Sequence, residues 1–539
     1  MCFKFNFMRK RNLLFFLAVM LSVFPSLARD FQDEYKGQTL TYTVLDEDAK
    51  TVKTKDGEYH WAGCKVSGNL IIPNVVSDGA DTYTVIKIGS YSFTANEDLT
   101  SVVIEGPGIE TIEDNAFSRC SNLTSITLPE GLTQLGSGVF QGCTSLESVT
   151  LPDSLTELGE YAFSGCTSLK SVTIPEGLTQ LGSSVFQGCT SLESITLPEG
   201  LTSLRYTFMG CTSLKSVTLP DSLTTLFGTF SGCTSLESIT LPKGLSELER
   251  NVFERCTSLK SLTLPESLTA IGQNAFQGCT ALESIIIPDR VEGIEGYAFQ
   301  GCTSLKSVKM PSYEVVRFFV GDFAFEGCTS LTSIDFSNVR ESFIGISAFE
   351  GCTSLGSVKF SEGLNDYLFD DYVEIRGRAF YNCNRIKTLT LPNVDLGESA
   401  FEGCTSLNTV KMRAIFSIES RVFAGCPNLN YIYYDSGVRE PISGNKDIFD
   451  EVTYEDATLF VKEEDVEKCK LIMPWKKFKT IAAYKFSNGV DEIEASLDPD
   501  APYEIFTLDG VKIADSTDNL PAGIYIIRQG NAVKKIAVN

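Results

Sequence analysis

From residue 120 onward, apolar and polar positions alternate in a block that returns about every 23 residues. Counted from the cysteine of each block, positions +3, +6 and +8 are apolar, as in Leu146, Val149 and Leu151 after Cys143, while +5 and +7 are Ser148 and Thr150. Such alternation predicts a half-buried strand. Proline usually follows at +9 (Pro152, Pro175, Pro198, Pro220), where a residue without an N–H ends a strand ladder. Leucines at +12 and +15, here Leu155 and Leu158, open a second inward run that closes on Ala162 and Phe163. Roughly seven side chains per block therefore point inward.

The cysteines fall at 120, 143, 166, 189, 211, 233, 256, 279, 302, 328, 352, 383, 404 and 426, and a phenylalanine stands three residues before each, from Phe117 to Phe423. A fixed period of this length predicts a solenoid, whose coils bury their apolar faces only against one another. We expect about 14 to 16 coils of about 23 residues, with parallel β ladders and ~4.8 Å between equivalent residues.

Outside the periodic region the chain divides into smaller units. Residues 29–88 read as an N-terminal cap, with strands at 40–44 and 69–73, and 89–434 as the solenoid, opened by a degenerate coil that has Asn96 where later coils have cysteine. The pattern dissolves over 435–485, a C-terminal cap in which Trp475, Phe478 and Ile481 cover the last coil. A polar linker follows at 486–502, and 503–539 alternates like a small β-sandwich-like, all-β module with turns at Asp509-Gly510, Ala522-Gly523 and Gly530-Asn531.

Residues 1–28 read as a secretory signal: Arg9, Lys10 and Arg11 precede the apolar run 13–23, and Ser26 and Ala28 hold the small-residue positions. The run is shorter than a spanning helix needs, so no stable membrane insertion is expected after cleavage. Loss of the four cations in this segment takes the formal charge from −24 to −28, which argues against nucleic acid or an anionic membrane surface as partner.

Catalytic and metal chemistry find little support. His60, beside Trp61, is the single histidine, which removes Ser-His-Asp, Cys-His and multi-histidine sites. Acids such as Asp153 and Glu176 sit at turn positions, and no cofactor loop is found. One thiol per coil is too sparse for a metal quartet, and in-register neighbours exceed the Cβ separation of a disulfide. Each ladder cysteine is expected to be a buried thiol donating to a backbone carbonyl. Position +4 alternates in sign through eight coils, from Glu147 and Lys170 to Glu283 and Lys306, which predicts a charge ladder with opposite neighbours above and below.

The unit AFSGCTSLKSVTIPEGLTQLG at 162–182 resembles the leucine-rich repeats of BspA-like bacterial surface proteins, the Treponema-type variant, over roughly residues 70–482. FTLDGVKI at 506–513 and LPAGIYIIRQGNAVKKIAV at 520–538 resemble the C-terminal sorting domains of exported Bacteroidetes proteins. The resemblance implies a secreted or cell-surface, non-enzymatic protein that binds host extracellular-matrix or cell-surface proteins or bacterial surface proteins, with glycan as a possible ligand. A structural surface scaffold or spacer is the alternative.

The coils that depart from the block point to where binding would occur. Position +7 is threonine from Thr127 to Thr263, then becomes Ile286, Lys309, Asp335, Lys359, Thr390, Lys411 and Tyr433. The interval lengthens to 26 between Cys302 and Cys328 and to 31 between Cys352 and Cys383, adding Tyr313, Arg317, Phe318, Phe319, Tyr367, Phe369 and Tyr372. Insertions in a solenoid map to one face, often the binding face, and aromatic and arginine side chains anchor interfaces. We therefore expect residues 309–372, with Tyr431, Tyr433 and Tyr434, to form the recognition surface; the alternative is that these coils tuck their aromatics inward.

Overall fold

The computed structural model describes residues 29–58, 64–311, 315–361, 372–436, 447–484, 504–506, 512–514, 523–529 and 532–538. Residues 1–28, expected to be a signal segment, and His60, Trp61, Tyr313, Tyr367 and Phe369 lie outside them.

Each coil has three walls. The first is the expected strand, as in Ser148–Thr150, which pairs in register and in parallel with Ser171–Thr173 of the next coil. Its outward, inward, outward burial follows the block: Ser148 and Thr150 are exposed while Val149 is buried. After the proline turn, the second inward run is itself a strand, as in Gln134–Leu135 on Glu157–Leu158. The third wall consists of stacked turns, joined by backbone hydrogen bonds such as Tyr161 N–H to Ser183 O (2.9 Å) and Phe163 N–H to Val185 O (2.9 Å).

The core between the walls is built from columns of identical residues. Phenylalanines from Phe93 to Phe449 stack coil upon coil, with successive centroids 5.0 to 5.9 Å apart. Beside them, every ladder cysteine donates its thiol to the carbonyl of the preceding coil's phenylalanine, at 3.1 Å for Cys143 to Phe117 and 3.4 Å for Cys426 to Phe401. Burial pushes the thiols from Cys143 to Cys426 up, Cys166 and Cys279 to about 12, so these remain protonated donors. The buried-thiol expectation holds.

The charge ladder is discrete pairs rather than a continuous run. Each lysine reaches back to the glutamate of the preceding coil: Lys170 to Glu147 at 2.9 Å, Lys215 to Glu193 at 3.0 Å, Lys260 to Glu237 at 3.6 Å and Lys306 to Glu283 at 2.8 Å. A lysine's one ammonium takes the nearer carboxylate, and solvent screening keeps the contribution of each exposed pair small.

Both caps continue the walls. The hairpin Asp30–Tyr35 and Gln38–Asp46 runs antiparallel onto Thr51–Thr54, which pairs in parallel with Thr82–Ile88 at the head of the second wall. At the other end Thr458–Val461 and Thr480–Ala483 extend the first wall beyond Tyr431–Tyr434. Trp475 is fully buried against Tyr434, with centroids 4.7 Å apart. In the terminal module, Lys512–Ala514, Glu504–Phe506, Gly523–Gln529 and Ala532–Val538 form one antiparallel sheet in that order.

Candidate binding surface

A wall strand shows solvent only its alternate residues, so register decides which expected surface residues are available. On the first wall the +7 row runs Ile286, Lys309, then Asp335, Lys359, and further on Thr390, Lys411, Tyr433, Phe460 and Ala482. Ile286 is 60% exposed, and Lys309, Asp335 and Lys359 are exposed. Lys359 lies 3.7 Å from Asp335. Burial alone would raise the Asp335 carboxyl, but hydrogen bonds from Ser337 and the Lys359 charge outweigh it, and the net direction is down. Near the C-terminal end Tyr433 stacks on Phe460 (4.7 Å), takes the Tyr484 ring edge-on (4.9 Å) and has the Lys411 ammonium 5.8 Å from its centroid. Tyr431, on the +5 row, is 46% exposed. Burial, then the neighbouring Tyr484 and Tyr431, push the Tyr433 phenol up.

The second wall carries another row. Phe319, Phe343, Glu374, Asp395 and Ser417 follow one another across five coils, with Arg317 opposite Glu341 two residues earlier. Phe319 is 37% exposed. Arg317 bonds Glu341 at 2.9 Å and lies 5.6 Å from the Phe343 centroid. Tyr372 packs edge-on against Phe343 and Phe416 and donates its hydroxyl to Asp395 at 2.5 Å; Ser417 donates to the other Asp395 oxygen. Burial first, then that hydrogen bond, raises the Tyr372 phenol. An open concavity of about 340 Å³ adjoins this network, lined by Ile346, Glu374, Arg376, Asp395, Ser417 and Glu419 among others.

The expected single surface is thus two. Lys309, Asp335, Lys359, Lys411, Tyr431 and Tyr433 belong to the first wall, whereas Arg317, Phe319 and Tyr372 belong to the second. Two expectations are corrected. Phe318 is fully buried, because its neighbours Arg317 and Phe319 point out of the same strand. Tyr434 is 2% exposed, because +8 is an inward position and Trp475 covers it. Phe343, Phe416, Phe460 and Tyr484 were not among the expected residues; their signal is aromatic residues at outward strand positions. Among the described residues no cluster of three or more His, Cys, Asp or Glu could hold a metal ion, and no helix is long and apolar enough to cross a membrane.

A profile for the BspA type leucine rich repeat region matches in six copies, over residues 86–206, 204–318, 270–371 and 318–449. A leucine-rich repeat protein from Bacteroides ovatus is 26% identical with a TM-score of 0.58, covering 83% of this chain and 98% of its own. A leucine rich cell surface protein from Faecalibacterium prausnitzii is also 26% identical, with a TM-score of 0.45 over 70% of this chain and 94% of its own. The leucine rich repeat protein of T. pallidum is 29% identical, with a TM-score of 0.32 over 36% of this chain and 87% of its own. No curated protein matches the chain.

Proposed function

The chain belongs to the BspA-type leucine-rich-repeat family, and from that premise we propose that it is a secreted or cell-surface, non-enzymatic binding protein that holds a protein partner on its C-terminal coils. One observation carries the reading. Through the regular coils the outward +7 row of the first wall is threonine, whereas from Ile286 onward it turns aliphatic, charged and aromatic, and the second wall of the same coils exposes Phe319 beside Arg317. Exposed large apolar groups at the centre of a patch, ringed by charge, are what an interface uses. Partners are a host matrix or cell-surface protein or a bacterial surface protein, with glycan second. The basic and apolar residues 1–28 support export, and residues 503–539 would then act in sorting.

Replacing Ile286, Phe319 and Tyr431 by serine tests this. All three are exposed, so the circular dichroism is expected to stay unchanged while capture of surface proteins from mucosal or bacterial extracts is lost. Unchanged capture would favour the spacer reading.

A further inference from the structure

Two successive coils are shortened by one residue on the second wall. The intervals Cys189–Cys211 and Cys211–Cys233 are 22, and the residue lost lies between the second-wall leucine and the column phenylalanine: four steps separate Leu204 from Phe208, five separate Leu158 from Phe163. In the coils before them the residue after that leucine is glycine, and backbone contact requires it: a Cβ on Gly159 or Gly182 would fall 2.5 or 2.4 Å from the preceding coil's backbone. In the short coils the strands run one residue further, Ser203–Arg205 and Thr225–Phe227, and the glycine place is taken by Arg205 and Phe227.

These changes assemble a group absent from the regular coils. The half-buried Phe227 ring has the Arg205 guanidinium of the preceding coil 4.8 Å from its centroid and the Arg250 guanidinium of the following coil at 5.9 Å. Tyr206 packs edge-on against the same ring at 4.9 Å. Both arginines are exposed, and among the described residues neither has a carboxylate within 4.0 Å, whereas Arg317, Arg378 and Arg421 each pair with a glutamate of a neighbouring coil. The rings hold the two charges in place, so little side-chain freedom would be lost on binding.

We propose that Arg205, Phe227 and Arg250 form an anion-recognition site for an acidic polysaccharide in which carboxylated and neutral sugars alternate, lying along the solenoid axis. The spacing selects this class. Two coil steps separate the arginines, ~10 Å, with an apolar ring between them. An extended acidic peptide brings same-side carboxylates every ~6.7 Å and does not fit that interval. Alternating sugars set a neutral ring over Phe227 and an acid on each guanidinium. The protein's charge of −24 does not prevent this, since exposed charges beyond ~10 Å are screened in physiological salt. Glu249, next to Phe227 in the column, is an acid that opposes it locally.

The test titrates the full chain with a hyaluronan oligosaccharide (carboxylate only), a heparin oligosaccharide (sulfated), a neutral dextran oligosaccharide and polyglutamate. Hyaluronan is expected to bind, and dextran not to; a preference for heparin, whose amino sugars are themselves sulfated, would contradict the neutral sugar placed over Phe227. Arg205→Ala with Arg250→Ala should weaken binding about tenfold or more, and the paired lysine variants should recover part of it. Glu249→Gln should tighten it. Serine at Phe319 and Tyr431 should leave it unchanged, which separates this site from the protein-binding surface. No binding of either acidic oligosaccharide, equal binding of polyglutamate, or full binding by the folded double alanine variant would overturn the proposal.

Discussion

At the scale of single residues, glycines meet two different demands. Gly301, before Cys302, has φ +71° and a Cβ there would touch nothing within 4 Å. Gly301→Ala should therefore cost only the left-handed strain, about 1 kcal/mol. Arg119, Arg255 and Asn382 occupy the same place at φ 57° to 59°. Gly182 has no such φ, yet its Cβ would fall 2.4 Å from Glu160 N, so Gly182→Ala must push two coils apart and should cost more. Urea midpoints at constant slope check the order; equal costs would contradict it. Residue-scale counting also explains the two misplaced aromatics. Val320 precedes Gly321 as Leu135 precedes Gly136, so two steps back, at Phe318, alternation is inward again. Tyr434 is +8 from Cys426, the place of Leu151. Both facts were legible in the sequence; the attraction of an aromatic run near an insertion obscured them.

At the scale of elements, the repeat converts one small interaction into a column. Thirteen ladder thiols from Cys143 to Cys426 are pushed up by burial, five of them to about 12. A raised thiol favours the fold fully below the unfolded value near 8.5, and the advantage is lost as pH rises toward the folded value. Each thiol loses roughly 1.4 kcal/mol per pH unit in that window, so the thirteen together remove roughly 18 kcal/mol one unit above the unfolded value. The urea midpoint should hold below about pH 8 and fall steeply from about pH 8.5 upward, with uptake of base by the unfolding chain. A flat profile would contradict thiol burial. In the other column, Phe253→Ala opens a gap between Phe230 and Phe276 and should cost about 3 to 5 kcal/mol. The strand and its burial were legible as alternation. The third wall was not, since its hydrogen bonds join turns that have no apolar alternation of their own.

For the whole molecule, the solenoid and its coil length could be read from the cysteine and phenylalanine spacing, because a stack of like coils has one way to bury them. The N-terminal strands at 40–44 and 69–73 are legible as alternation, whereas the extension of the first wall by Thr458–Val461 and Thr480–Ala483 is not; strand pairing needs backbone register, which the divergent side chains there do not announce. The candidate residues read as one face in the sequence but fall on two walls, because residues close in sequence leave a coil on different walls. The regular and the divergent coils therefore differ in what they offer a partner. The most direct measurement compares partner capture by two equally mutated chains, one with serine at Ile286, Phe319 and Tyr431, the other with alanine at Thr150, Thr173 and Thr196 of the regular coils. Loss in the first and full capture in the second is the predicted result; equal capture by both would contradict it.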